Sequence, residues 1–116
     1  KTILVIRDEG KIVLRKRADK GLLAGMYEFP SMEGEQTKER ITAYLKSLGL
    51  APVRIEELPF SKHVFTHKEW HMTGYAIRVD ELERMQADAG LLFVTPDELE
   101  ENYPIPSAFA AYRNYI

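Results

Sequence analysis

Apolar and polar positions along this chain predict strands on both sides of a central helix. Thr2–Arg7 is rich in apolar and β-branched residues, the composition of a strand. In Lys11–Arg17, apolar Ile12 and Leu14 alternate with Arg15 and Arg17, although Val13 interrupts the pattern. The Gly-containing link Asp8-Glu9-Gly10 between the two runs predicts a β-hairpin. Gly21-Leu22-Leu23-Ala24-Gly25 reads as a glycine-bracketed apolar loop. A short strand follows it and stops at Pro30, because proline cannot donate to a ladder. From Thr37, the residues Ile41, Tyr44, Leu45 and Leu48 recur at i, i+3, i+4 and i+7, one helical stripe. Gly49 stands where a helix C′ residue belongs, and Pro52 follows shortly.

In the second half, Val53–Leu58 and Lys62–Val79 read as two or three strands with a turn near Lys68. Glu81–Ala87 is a short helical candidate and Leu91–Val94 a buried strand. Thr95-Pro96-Asp97-Glu98 predicts a helix start, with Thr95 as N-cap, Pro96 at the first helical position and Glu98 closing a capping box. Pro106-Ser107 opens a last helix over Ala108–Tyr115. This order predicts an α+β fold, a mixed β-sheet with packed helices.

At 116 residues the chain is sized for a single domain. It has no cysteine, which excludes disulfides, thiolate zinc sites and cysteine-held iron–sulfur clusters within it. No apolar run approaches the roughly 20 residues of a membrane helix. The net charge of -2 lacks the basic excess of a stand-alone nucleic-acid binder, so any DNA contact is expected to use a small local surface. Lys1 opens a strand-like run with no initiator methionine, and 1–116 is read as one domain excised from a longer protein.

The candidate chemistry concentrates in His63-Val64-Phe65-Thr66-His67-Lys68-Glu69-Trp70-His71, which holds all three histidines and the single tryptophan. Histidines four apart invite a three-histidine metal site, although the strand-like run supplies no obvious second shell. Trp70 fits a core or sheet-face residue better than a base-stacking platform. Phe65 is either core filler or a shaper of the loop, and Lys62 and Lys68 are either solvated or phosphate-contacting.

Tyr27-Glu28-Phe29-Pro30, followed by a helix ending Leu48-Gly49-Leu50, resembles the skeleton of a Nudix domain. The resemblance implies a helix with clustered carboxylates that hold divalent metal against a diphosphate, since hard cations want converging oxygens. Counting back from Gly49, that cluster falls on Thr42, Ala43, Lys46 and Ser47, none of them a carboxylate. Glu33, Glu35 and Glu39 lie upstream and read as a solvated face. The Nudix-like fold is therefore expected with a degenerate catalytic box. Hydrolysis of a nucleoside diphosphate derivative such as 8-oxo-dGTP remains the alternative.

Three further segments resemble a narrower family. Gly21–Pro30, His63-Val64-Phe65-Thr66-His67 and Ile105-Pro106-Ser107-Ala108-Phe109 are similar, in the same order, to the G-L-L-A-G-[LM]-[WY]-E-F-P, H-x-F-[ST]-H and [LI]-P-S-A-F segments of the C-terminal domain of MutY adenine DNA glycosylases. The likeness spans essentially the whole chain. It implies a domain that reads 8-oxoguanine opposite adenine in double-stranded DNA during base excision repair. Oxidation turns guanine N7 into a donor and adds an acceptor at C8, so a reader must accept from N7–H or donate to O8. By the resemblance, Thr66 makes that contact, Phe65 and His67 shape the loop, and Lys62 and Lys68 are candidates for phosphate. Adenine excision belongs to an N-terminal catalytic domain of the parent chain, which is also expected to carry the 4Fe-4S cluster. This fragment is expected to hold no cofactor or metal and not to catalyse by itself. A bacterial cytoplasmic, nucleoid-associated location without membrane contact goes with that reading. A platform for repair or replication proteins is a third reading.

Overall fold

In the computed structural model, the residues described are 1–17, 26–65, 68–80, 82, 91–103, 109 and 112. The elements are β1 (Thr2–Arg7), β2 (Ile12–Lys16), β3 (Tyr27–Glu28), β4 (Ser31–Met32), α1 (Lys38–Ser47), β5 (Pro52–Phe65), β6 (Lys68–Val79), β7 (Leu91–Val94) and α2 (Pro96–Asn102). The sheet is mixed, in the order β3-β2-β1-β6-β5, with β4 paired to β1 and β7 to β2. β1 and β6 run parallel from Thr2↔Thr73 to Arg7↔Arg78, and the other pairs are antiparallel.

Both faces of the central strands are buried. Ile3, Val5, Ile12 and Leu14 pack with Phe29, Met72, Leu99, Phe109 and Tyr112 on one face. Leu4, Ile6 and Val13 pack with Ile41 and Leu45 of α1 and with its C-cap residue Leu48 on the other. Val13 is thus no interruption: β2 is covered on both sides, so alternation between apolar and polar residues is not required of it. The stripe on α1 is core as expected, with Ile41 and Leu45 fully buried and Tyr44 at its margin. Leu91–Val94 is a strand, but half-buried up to Val94.

The local signals formed where chemistry required them. Asp8 Oδ1 accepts from the N–H groups of Gly10 (2.9 Å) and Lys11 (2.8 Å), which closes the β1–β2 turn. Thr37 caps α1 by accepting from Arg40 N–H, and Gly49 takes the left-handed conformation (φ 80°) past its end. Thr95 and Glu98 complete the capping box of α2, with Pro96 opening the helix. Pro30 marks a change of partner, since β3 pairs with β2 and β4 with β1. The segments at Gly21–Gly25, Glu81, 83–87 of the short helical candidate, Pro106-Ser107 and most of Ala108–Tyr115 lie outside the described residues.

Val53–Leu58 and Lys62–Phe65 belong to one long strand, β5, which pairs with β6 from Pro52↔Val79 to Phe65↔Lys68. Between Leu58↔Gly74 and Ser61↔Met72, β5 advances three residues while β6 advances two, which is a β-bulge at Pro59-Phe60. A bulge is where a proline can sit in a strand. The buried Tyr112 hydroxyl donates toward the carbonyls of Pro59 (3.2 Å) and Met72 (3.0 Å), pinning both strands there.

Candidate nucleic-acid interface

The β5–β6 hairpin outruns the rest of the sheet. Parallel pairing with β1 starts at Thr2↔Thr73, so β6 continues from Met72 to Lys68 with β5 as its strand partner. The last described pair is Phe65↔Lys68, which leaves Thr66 and His67 as the two residues joining the strands. Both lie outside the described residues, as does the side chain of Phe65.

Register decides what faces where, because directly opposed residues share a face. Lys62 opposes His71 and His63 opposes Trp70, so His63 and His71 point to opposite faces of the ribbon. Their four-residue spacings in sequence do not bring these two together. His71 Nε2 instead lies 3.0 Å from Glu69 Oε1, with Lys62 Nζ 3.8 Å from the same oxygen. These groups are about half exposed, so the pairing contributes little stability. Phe60 and Val64 are each 61% exposed, and Phe60 sits with its ring 5.8 Å from that of His71.

On the opposite face Trp70 packs on the core, 5.7 Å from the Phe109 ring. Lys1 Nζ and Arg17 Cζ lie 4.4 and 4.8 Å from its ring centroid. With those cations over its ring, Trp70 is a sheet-face residue and not a stacking platform. Burial depresses the pKa of Lys1; the Glu28 charge opposes that shift and Arg17 adds to it. Lys68, Lys1, Arg17, Trp70 and His71, with Glu33 and Glu69, line an open pocket of about 360 Å³ beside the ribbon. Lys62 and Lys68 therefore stand on opposite faces, both exposed.

Sequence reasoning missed Glu28. Its side chain is 4% exposed, with Arg17 Nη1 2.7 Å from Oε2 and Arg15 Nη2 3.2 Å from Oε1. Arg15 Nη2 also reaches Ser31 Oγ at 3.3 Å. The signal was present: a carboxylate on a short strand next to a strand that carries Arg15 and ends just before Arg17.

The Nudix-box positions fall on α1. Thr42 Oγ donates to Lys38 O (2.8 Å), Ser47 Oγ donates to Tyr44 O (2.5 Å), and Ala43 and Lys46 are exposed. Glu33, Glu35 and Glu39 are exposed too. Among the described residues no three histidine, aspartate or glutamate side chains converge as a metal site, and α1 itself offers an ammonium at Lys46 where the chemistry of a divalent ion would need oxygen.

Comparisons with known proteins agree with this architecture. The model of the NUDIX domain family matches residues 2–114. The chain is 30% identical over 93 residues to mouse adenine DNA glycosylase, covering 75% of this chain and 18% of that protein. It thus spans less than a fifth of that curated relative. Its fold is similar to the C-terminal domain of mouse MUTYH, solved in complex with human PCNA (TM-score 0.73, 24% identity, 98% of this chain and 86% of that one). It is also similar to the NUDIX domain of Shewanella oneidensis NrtR, solved with ADP ribose (TM-score 0.66, 12% identity, 98% and 81%).

Proposed function

From the premise that this chain belongs to the NUDIX domain family, we propose that it is the lesion-reading domain of an adenine DNA glycosylase. The observation that carries this reading is the β5–β6 hairpin, whose closing pair Phe65↔Lys68 brackets Thr66 and His67 beyond the end of β1. A ribbon that projects past its sheet can enter a groove that the body of the domain cannot. Thr66 supplies a hydroxyl and a backbone N–H for the N7–H and O8 edge of 8-oxoguanine. Phe65 and His67 would hold the loop, and Lys62 and Lys68 would meet phosphate; the reading is supported by their exposure on opposite faces of the ribbon.

The similarity to mouse adenine DNA glycosylase supports double-stranded DNA and an N-terminal catalytic domain of the same parent chain as partners. The parent would carry the 4Fe-4S cluster, and this domain would raise selectivity for adenine opposite 8-oxoguanine without cutting. The working location would be that of the DNA, the cytoplasm and nucleoid of a bacterium in our reading. Among the described residues no helix is long and apolar enough to cross a membrane.

The test is Thr66→Val in the full-length glycosylase, with binding to 8-oxoguanine–adenine and guanine–adenine duplexes measured at fixed salt. Loss of a base-edge contact removes about 1–3 kcal/mol of preference for the lesion. Equal losses on both duplexes would reduce the loop to scaffolding. Magnesium-dependent turnover of 8-oxo-dGTP or a related diphosphate would favour the hydrolase reading instead.

A further inference from the structure

The distal half of the hairpin has a support problem that the fold solves in an unusual place. From Met72 to Lys68, β6 has β5 alone as its strand neighbour, and an isolated two-stranded ribbon is marginally stable in water. Among the described residues, the Lys1 backbone amine (3.3 Å from His71 O) and the Tyr112 hydroxyl (3.0 Å from Met72 O) hold the near end of this stretch. The cluster on Trp70, made by Phe109, Lys1 and Arg17, braces it farther out. Trp70 opposes His63, and Lys68, two residues on, closes the described ribbon about 7 Å farther out.

Arg17 does not stand by itself. Its Nη1 is 2.7 Å from Glu28 Oε2, and Arg15 takes the other oxygen at 3.2 Å. Glu28 is a carboxylate withdrawn from water, and such an ion pair is seldom more stabilising than apolar packing of the same volume. Its distinctive property is geometric. A planar guanidinium tied at one end to a fixed carboxylate can lie on an indole in few orientations.

We infer that Glu28 and Arg17 are positioning residues for the reading loop: Glu28 fixes the Arg17 guanidinium, Arg17 and Trp70 fix the ribbon, and the ribbon aims Thr66 and His67. This rests on the lesion-reading function proposed above. Neither residue touches DNA in this role; both act through Trp70.

The test uses the full-length glycosylase and the ratio of its affinities for 8-oxoguanine–adenine and guanine–adenine duplexes, beside thermal melting and hydrogen exchange of the 60–71 segment. Arg17→Met and Glu28→Gln are expected to lower the ratio about fivefold or more, the scale of one lost base-edge contact. Exchange at 60–71 rises with them, and Arg17→Lys, which keeps a charge but loses the planar guanidinium tied to Glu28, lowers the ratio as well. A merely structural pair would lower the melting temperature and leave the ratio intact, which overturns the inference. Thr66→Val is the benchmark: if it lowers the ratio and the brace variants do not, the inference fails and the lesion-reading function stands. If Thr66→Val leaves the ratio unchanged, that function itself fails. Should Arg17→Met not fold, Glu28→Gln decides alone, with the same two outcomes.

Discussion

Tyr112→Phe isolates one hydroxyl at the joint where the hairpin leaves the sheet. The ring is fully buried in the core and stays in place, so the substitution opens no cavity larger than one oxygen. What disappears is the donor 3.2 Å from Pro59 O and 3.0 Å from Met72 O. A single proton serves one carbonyl at a time, so the loss is one net hydrogen bond, about 0.5–1.5 kcal/mol. A carbonyl left without its donor in this buried setting moves the total toward about 1–2 kcal/mol. For a domain of this size each kcal/mol shifts the melting temperature by roughly 4–8 °C. Urea denaturation of both proteins, with the slope unchanged, gives the free-energy difference directly. Hydrogen exchange adds the location: amides around the bulge, from Leu58 to Ser61 and at Thr73, should open before those of β1. A loss below about 0.3 kcal/mol with unaltered exchange would refute the claim that this hydroxyl pins the bulge.

Gly74→Ala places a Cβ 3.1 Å from Ile3 O and 3.1 Å from the Tyr112 ring, between two groups that cannot easily retreat. A loss of about 1–3 kcal/mol in urea denaturation is expected, and wild-type stability would mean that β1 and β6 can separate there. Thr95→Ala removes the N-cap of α2 and should cost about 1 kcal/mol, read by thermal melting. Burial tends to raise the pKa of Asp8, but the N–H groups of Gly10, Leu82 and Lys11 and the Lys11 charge outweigh it, and the carboxyl sits below its usual value. Its stabilising contribution is therefore complete above about pH 4 and lost as pH falls through the lowered value. Asp8→Asn should flatten the acid limb of the stability–pH curve, and an unchanged limb would remove Asp8 from that account.

Much of the fold was legible because its signals are local. The Thr37 and Thr95 caps, the Gly49 terminus and the Ile41–Leu48 stripe each depend on residues within one or two turns. Val13 was misleading for a non-local reason: its apolar side chain answers to α1, a helix that begins at Lys38. Glu28 was read as a motif letter, since nothing in its own strand announces that Arg15 and Arg17 fold over it.

The sequence by itself determined the α+β class from period and spacing. Its resemblance to known families marked Thr42, Ala43, Lys46 and Ser47 as box positions without a carboxylate and Thr66 as the hydroxyl of the reading loop. Tertiary structure alone decided which faces the hairpin residues occupy, because one extra residue at Pro59-Phe60 inverts every β5 side chain beyond it relative to β6. That inversion separates His63 from His71, while the alternation of β6 itself sets Trp70 against Arg17, and together they turn an apparent histidine cluster into a braced ribbon.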